Sequence, residues 1–264
     1  MTSASFLVPA VITAGGRISG AFAAAAGTEI KALVPFADGT MIDCVIEALR
    51  QSGRVEEPII VVGPEAEMCA ALTGKNLRVI AEGITGPENM IQGLRALPEA
   101  EHEGWALLCT CDLPLLTGDA IRELLDAAPE DADIIFPILT KEQYEAQFPG
   151  SPGTYTPLEG RLYTGGSVFL VRPSAFSRNR VLIEKVFASR KEIFSMAKLG
   201  GFGLIMRFLT GTLTIEYVER RASELTGCRC RAVRGASPTL AADVDTWEDY
   251  EFARRLRPVP EVAL

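Results

Sequence analysis

The chain has 264 residues, a length that suits one domain, or one domain with an elaboration. Its 48% hydrophobic and 23% charged residues are ordinary for a globular protein. The formal net charge of -8 argues against a nucleic-acid-binding surface, which would need a basic stripe. No apolar run is long enough to span a bilayer. Neither nucleic acid nor a membrane is therefore expected as a partner.

Residues 1–16 contain no basic leader and no cleavage-site pattern, so we expect a mature start and a cytoplasmic location. Two cysteine pairs have the spacing Cys-x-Cys, namely Cys109 with Cys111 and Cys228 with Cys230. Zinc sites usually have the spacing Cys-x-x-Cys. Buried thiols in a reducing compartment are therefore expected, and structural zinc is disfavoured.

Strands and helices alternate over the first 140 residues. Residues 7–16 are predicted to form an apolar strand that ends in a glycine turn. Residues 38–53 carry apolar side chains at i, i+4 spacing and are predicted to form a helix. Thr40 is its expected N-cap, with Asp43 as capping-box partner and Gly53 at its end. Further strands are predicted over residues 57–63, 77–83, 105–112 and 132–139, and further helices over residues 64–74, 87–97 and 117–128.

This alternation predicts a single-domain, Rossmann-like α/β fold, with a mostly parallel sheet and helices on both faces. The predicted strands are nearly continuous apolar runs, which is typical of strands covered on both faces. The rhythm stops after about residue 140, where residues 141–166 are predicted to be mostly loop. Beyond them, strands are predicted over 167–173 and 228–233, a largely helical stretch over 175–226 with breaks at Gly200–Gly201 and Gly211, and a closing helix over 246–256.

One domain spanning residues 1–264 is therefore expected. Its core is predicted to comprise residues 6–140 and 161–256, with a helix-rich elaboration at about residues 140–226.

Three features follow or adjoin predicted strands, at the edge where open parallel sheets bind ligands. Gly15 and Gly16, after Ala14, allow the backbone to approach a phosphate, although a plain turn is the common alternative. Lys31 precedes an apolar run and is either a solvated edge residue or a phosphate ligand. Asp112 ends a buried strand and either caps the next turn or binds Mg²⁺, a cation that takes one or two protein carboxylates.

Two further carboxylates lie near the C-terminus. Asp243 and Asp245 project to one side if the chain is extended there. Asp245 or Thr246 could equally be the N-cap of the closing helix, so spacing leaves cap and ligand open. The one histidine, His102, lies in a polar stretch predicted to be a loop. Chemistry is therefore expected to rest on carboxylates, lysine, metal ions and the backbone.

Five short motifs occur in the order in which one enzyme family carries them: AGG after the first strand, KALVPF, CDLPLL, TGGSVFL and DVDTWEDY. Together they resemble the GT-A-like, Rossmann-type nucleotidyltransferases, and among these the MobA-like NTP transferases. Sugar-phosphate and methylerythritol-phosphate nucleotidyltransferases are more distant kin. The resemblance covers residues 8–140, 161–172 and 240–256.

The resemblance implies a role for each matching residue. Residues 14–16, here called the glycine loop, would wrap the phosphates of a nucleoside triphosphate. Lys31 would neutralise their charge and act in catalysis. Asp112 would ligate Mg²⁺ and also act in catalysis, and Asp245 would be the second metal carboxylate.

Two other matching segments would bind the remaining parts of the substrates. Glu82 and Asn89 match a region that lies near the base and ribose in relatives. Thr164, Gly165 and Gly166 would lie on the acceptor side, next to the helix-rich elaboration.

One segment departs from the family pattern. The family usually follows AGG with a short glycine-arginine segment and then reaches its lysine quickly. Here residues 17–30 form a longer, alanine-rich segment. Arg17 is the residue that could replace the missing arginine at the phosphates.

The implied activity is Mg²⁺-dependent transfer of a nucleoside monophosphate from an NTP to a small phosphorylated acceptor, with release of pyrophosphate. An acceptor phosphate is already an anion, so a chain with one histidine can perform this reaction. The alternatives are a metal-dependent GT-A glycosyltransferase and a non-catalytic nucleotide-binding module. The sequence predicts neither the acceptor nor the nucleobase nor the oligomeric state. Candidate acceptor ligands, which a solvated helix face explains equally well, are Arg161, Arg172, Arg190, Lys191 and Lys198.

Overall fold

The computed structural model describes residues 7–183 and 202–257. The strands are β1 (Ala10–Thr13), β2 (Pro35–Phe36), β3 (Gly39–Thr40), β4 (Ile59–Gly63), β5 (Leu77–Ala81), β6 (Ala106–Thr110), β7 (Ile134–Thr140), β8 (Thr156–Leu158), β9 (Arg161–Gly165), β10 (Val168–Val171) and β11 (Cys230–Arg234). The helices are α1 (Gly20–Ala26), α2 (Met41–Gln51), α3 (Glu65–Ala71), α4 (Gly86–Arg95), α5 (Gly118–Asp126), α6 (Lys141–Gln147), α7 (Pro173–Arg178), α8 (Phe202–Leu209), α9 (Ile215–Thr226) and α10 (Trp247–Leu256).

Nine strands form one mixed sheet. Eight of them follow the order β5-β4-β1-β6-β10-β7-β9-β8, and the ninth, β11, also pairs with β7. Strands β5, β4, β1 and β6 are mutually parallel, and β11 runs parallel to β7. Strand β10 lies antiparallel between β6 and β7. The predicted single-domain α/β fold with a mostly parallel sheet is confirmed, while the division into core and elaboration stays a prediction.

Both faces of the central strands β1, β4 and β6 are buried, which explains their continuous apolar sequences. On β1, Val11 faces one hydrophobic cluster and Ile12 faces the other. The Ile12 cluster includes residues of α2 and α5, whereas the Val11 cluster includes residues of α4 and α7. Because successive side chains point to opposite faces, every strand position here must be apolar.

Helix α2 begins and ends as its sequence predicts. The Thr40 and Asp43 side chains form a capping box, in which Thr40 N–H donates to Asp43 Oδ2 at 3.1 Å. The helix ends at Gln51, and Gly53 follows with φ of 63°, a left-handed conformation that glycine adopts without strain.

The prediction that residues 141–166 are mostly loop is wrong. They contain α6, which Thr140 and Gln143 begin with a second capping box, and the β8–β9 hairpin. Glu159 and Gly160 occupy the hairpin turn with φ of 52° and 74°, the left-handed pair that a tight two-residue turn needs. Glycine and proline in this stretch mark the ends of short elements and not one long loop.

The described part of residues 175–226 is largely helical, as expected. Gly211 lies between α8 and α9 with a φ of 68°. The predicted break at Gly200–Gly201 lies outside the described residues. No helix within residues 7–183 and 202–257 is long and apolar enough to cross a bilayer.

Five of the six cysteines are buried and reduced, as expected of core thiols. Cys69, on α3, is exposed and differs from that expectation. Burial raises the pKa of the Cys109 thiol to about 12. This thiol therefore packs as a small apolar side chain at neutral pH.

We expect Gly93→Ala to destabilise the protein by about 1–3 kcal/mol, because the added methyl group overpacks the core. A Cβ atom on Gly93 would lie 2.2 Å from Val11 Cγ1, where α4 crosses β1. The check is the free energy of unfolding from urea titration. Gly86→Ala, in the first turn of the same helix, is the control because nothing lies within 4 Å of its added Cβ. Equal losses at both positions would contradict the packing argument.

Candidate active site

The loops that follow β1 and β6 lie side by side at the carboxyl edge of the sheet. Ala14 N–H donates to Val62 O at 2.7 Å, and Cys111 N–H donates to Thr13 O at 3.2 Å. These bonds extend the parallel strands and end at the glycine loop and Asp112. The sheet register therefore places the two predicted features together.

Two side chains occupy the space beside Gly15. A Cβ atom at this position would lie 2.5 Å from Asn89 Nδ2 and 2.6 Å from Glu82 Oε2. Asn89 is buried, and its Oδ1 accepts a hydrogen bond of 2.7 Å from Gly83 N–H. The structure thus brings Glu82 and Asn89 against the glycine loop.

The long segment 17–30 is closed at its base. Arg17 and Ile30 form an antiparallel bridge, and Ile18 N–H donates to Glu29 O at 2.9 Å. Helix α1 occupies the interior of this excursion. Lys31 N–H then donates to Gly16 O at 3.0 Å, so the chain returns to the glycine loop. The extra length does not separate Lys31 from the loop.

Arg17 lies on the glycine loop. Its Nη1 donates to Gly15 O at 2.8 Å, and its guanidinium forms an ion pair with Glu82. The Arg17 side chain remains 43% exposed. A partly exposed cation therefore lies beside the glycine loop.

Lys31 lies between two carboxylates from distant parts of the chain. Its Nζ donates to Asp112 Oδ2 at 2.5 Å and also to Asp245 Oδ1. Lys31 is only 6% exposed, whereas the Asp245 side chain is 70% exposed. The ion pairs therefore reach from a buried ammonium to an open surface.

The charge state of Lys31 follows from two opposing effects. Burial lowers its pKa, but the Asp112 and Asp245 carboxylates outweigh burial and raise the pKa above the ordinary lysine value. Lys31 is therefore an ammonium ion at neutral pH.

Asp243 is a third carboxyl group near this pair. Burial, followed by the charges of Asp112 and Asp245, raises the pKa of Asp243 to about 7. Sequence reasoning noted its alternation with Asp245 but not its coupling to Asp112. The alternating pattern alone carried no signal for that coupling.

The segment before α10 shows which residue caps the helix. Thr246 is the N-cap and forms a capping box with Asp249. Asp245 is therefore not the cap, and its carboxylate turns to Lys31. Val244 N–H donates to Asp112 O at 2.9 Å, which fixes this segment beside the loop after β6.

An aromatic cluster that sequence reasoning missed anchors segment 17–30. Phe22 contacts Trp247 and Tyr250, with ring centroids 5.5 and 5.3 Å apart. Both partners lie on α10, directly after Asp245. Phe22 is the one aromatic residue in the alanine-rich segment 17–30. Its presence there was the sequence signal that could have predicted a packing contact.

The predicted acceptor segment lies at the same edge of the sheet. Thr164 pairs with Leu139 on β7, and Gly165 ends β9. A Cβ atom on Gly166 would lie 2.7 Å from Leu240 O, so only glycine fits there. Ser167 O accepts from Thr110 N–H at 3.3 Å, which joins this segment to the strand that carries Asp112.

Two of the candidate cations of the elaboration, Arg161 and Arg172, lie within the described residues. Arg161 is exposed on β9. Arg172 stacks on Trp105 at 4.4 Å and donates to Ala132 O, near the amino ends of β6 and β7. The remaining candidates, Arg190, Lys191 and Lys198, lie outside the described residues.

The donor set fits a hard divalent cation. Asp112 Oδ1 is buried and has no hydrogen-bond partner. Among residues 7–183 and 202–257, no three His, Cys, Asp or Glu side chains are grouped as a metal site. Magnesium needs only one or two protein carboxylates, because water and phosphate oxygens complete its shell.

We expect the contribution of Asp243 to the stability of the metal-free protein to fall as the pH rises from about 4 to about 7. Its folded-state pKa of about 7 exceeds the unfolded value of about 3.9, so the folded protein binds more protons between these pH values. Asp243→Asn cannot ionise and should escape this loss.

The free-energy advantage of Asp243→Asn over the parent should therefore grow by a few kcal/mol across this range, at about 1.4 kcal/mol per pKa unit. Urea unfolding in EDTA at several pH values is the measurement. Asp119→Asn, an exposed substitution on α5, is the control. Parallel pH profiles for Asp243→Asn and the parent would contradict the raised pKa.

Known proteins share this architecture. A family model described as the MobA-like NTP transferase domain matches residues 10–199. A hypothetical transferase structure from Thermus thermophilus is 34% identical with a TM-score of 0.80, covering 92% of this chain and 99% of that chain. No curated protein sequence matches the chain.

Two more distant structures share the fold. CMP:2-keto-3-deoxy-manno-octonic acid synthetase complexed with CTP is 14% identical with a TM-score of 0.58, covering 95% of this chain and 98% of that chain. A Mycobacterium tuberculosis protein in complex with manganese is 18% identical with a TM-score of 0.50, covering 94% and 97%. The family match spans more than half of the chain and agrees with the 34% identical transferase, so the chain belongs to the MobA-like NTP transferase family and is a nucleotidyltransferase.

Proposed function

We propose that the protein transfers a nucleoside monophosphate from an NTP to a small phosphorylated acceptor, with Mg²⁺ as its metal and pyrophosphate as the second product. The observation that carries this proposal is the Lys31 ammonium, held beside the glycine loop between Asp112 and Asp245. A cation and two carboxylates beside a glycine turn are suited to binding a polyphosphate and its metal ion.

The glycine loop and two cations bind the triphosphate. Gly16 is exposed and has no Cβ, so phosphate oxygens can approach its backbone closely. Arg17 and Lys31 lie on either side and offer charge-assisted donors. Glu82 and Asn89, packed against Gly15, face the base and ribose.

Asp112 and Asp245 would hold the metal, and Asp112 Oδ1 is the buried oxygen that a ligand would satisfy. The ion would supply charge neutralisation at the phosphates and align them for displacement. The manganese-bound M. tuberculosis structure supports a divalent ion at this fold.

In the transfer, an acceptor phosphate oxygen forms a bond to the α-phosphorus. The bond from that phosphorus to the bridging oxygen breaks, and pyrophosphate leaves with its electrons. The acceptor oxygen is already deprotonated at neutral pH, so no side chain has to act as a base. The protein positions the groups, and Lys31 and Arg17 stabilise the negative charge that builds on the leaving phosphates.

The acceptor lies on the side of Thr164, Gly165 and Gly166. Thr164 and Gly165 are the last residues of β9, and Gly166, which follows, packs against Leu240 in the segment before Asp245. At Gly165 the nearest atom to an added Cβ would be Pro137 O at 3.9 Å, so its backbone is open to a substrate, whereas Leu240 and Pro137 fill the space beside Gly166. An acceptor placed here approaches the α-phosphate from the side opposite Glu82 and Asn89.

The two alternatives receive less support. A GT-A glycosyltransferase would hold its metal on an Asp-x-Asp pair. Asp243 and Asp245 have that form but lie at the far end of the chain, after β11, the last strand of the described residues. A non-catalytic module was suggested by the altered segment 17–30. That segment nevertheless returns Lys31 to the glycine loop and keeps Arg17 on it.

Pyrophosphate release tests the proposal. Each of the four NTPs is supplied with Mg²⁺ and a panel of phosphorylated acceptors, and product is followed by coupled phosphate detection. Release that requires one NTP and one acceptor is the expected result. Release that is independent of any acceptor would instead indicate NTP hydrolysis.

We expect Asp112→Asn to lower kcat/KM for pyrophosphate release by about 10²-fold or more, since a group that stabilises the transition state is lost. The amide keeps the shape of the side chain but removes its charge. Asp119→Asn, which removes the Asp119–Arg122 ion pair on α5, the helix after the same strand, is the matched control and should retain full activity. Retained activity in Asp112→Asn would remove this residue from the site.

A further inference from the structure

We propose that Lys31 is an internal counter-ion that keeps divalent metal off Asp112 and Asp245 until a triphosphate binds and takes over the ammonium. This inference rests on the proposed function, because it assigns an order to the binding of nucleotide and metal.

The ammonium occupies the place that a metal would use. Lys31 Nζ contacts one oxygen of Asp112 and one oxygen of Asp245. A divalent ion on these carboxylates would meet an ammonium charge within a few ångströms and would be repelled by it. Metal and Lys31 therefore compete for the same two negative charges.

The ammonium cannot simply move into solvent. Lys31 is 6% exposed, and its main chain is tied to Gly16 by a 3.0 Å hydrogen bond. Another acceptor of high negative charge must therefore draw the ammonium away. The buried position makes ordinary water a poor competitor for the two carboxylates.

The glycine loop is the place where that acceptor arrives. The aliphatic stem of Lys31 runs along Gly16, since a Cβ atom there would lie 3.3 Å from Lys31 Cδ. Rotation about the terminal bonds of the side chain can turn Nζ from the carboxylates to a phosphate above Gly16. The backbone need not move for this exchange.

The binding of nucleotide and the binding of metal are therefore coupled. Without nucleotide, Lys31 neutralises Asp112 and Asp245 and metal binds weakly. With nucleotide, the phosphates take the ammonium and leave two carboxylates and a set of phosphate oxygens for the ion. The metal then enters a site that already holds its substrate.

Direct Mn²⁺ binding without nucleotide tests this order, with free Mn²⁺ followed by electron paramagnetic resonance. Lys31→Met keeps the length of the side chain and removes its charge, and we expect it to bind Mn²⁺ about tenfold more tightly or better than the parent. Adding Asp112→Asn to Lys31→Met should abolish the gain, which would place the ion at this site.

Lys75→Met is the matched control. Lys75 also forms an Asp pair, with Nζ 2.5 Å from Asp43 Oδ1, but it lies on the loop before β5 and away from the glycine loop. Its loss should leave Mn²⁺ affinity unchanged. If Lys31→Met does not fold, Lys31→Gln provides the same comparison with a neutral donor.

Equal or weaker Mn²⁺ binding by the folded Lys31 variants would overturn the proposal. Titration of the parent with each NTP in EDTA addresses the proposed function separately. The parent should bind an NTP without metal, and Lys31→Met should bind it more weakly. If no NTP binds with or without Mg²⁺, the proposed function fails, whereas the Mn²⁺ comparison still decides the role of Lys31.

Discussion

A buried ammonium is the constraint on which this site depends. Lys31 remains charged although it is buried, because the neighbouring Asp112 and Asp245 carboxylates raise its pKa. These partners come from the end of a central strand and from a segment more than 200 residues away along the chain. Burying the charge therefore requires the C-terminal segment to close over the first loop, and Thr246, Asp249 and Phe22 all serve that closure.

Much of the fold could be predicted because it follows from periodicity. Continuous apolar runs alternating with amphipathic helices allow few arrangements other than a doubly covered sheet. Asp112 and the glycine loop were found for a related reason, since polar or glycine residues at the tips of buried strands are seldom needed for packing. The glycine loop and Asp112 lie close together because the carboxyl ends of parallel strands meet at one edge of the sheet.

The remainder depends on contacts that local patterns do not encode. Whether Asp245 or Thr246 caps α10 is decided by a lysine far away in sequence. The β8–β9 hairpin was missed because its turn uses Glu159, whose left-handed backbone is held by pairing with Arg234 and by contacts with α9. The raised pKa of Asp243 likewise arises from burial and from two carboxylates that only the fold brings near.

The bridge between Arg17 and Ile30 allows the length of the segment between them to vary among related proteins. It separates the length of the intervening chain from the geometry of the site, because both ends of the excursion are pinned before Lys31 is reached. Residues other than Phe22 can be gained or lost between these two positions without changing where the lysine lies. Related proteins can therefore differ in the surface that this segment forms beside the substrate, while the catalytic residues keep their positions.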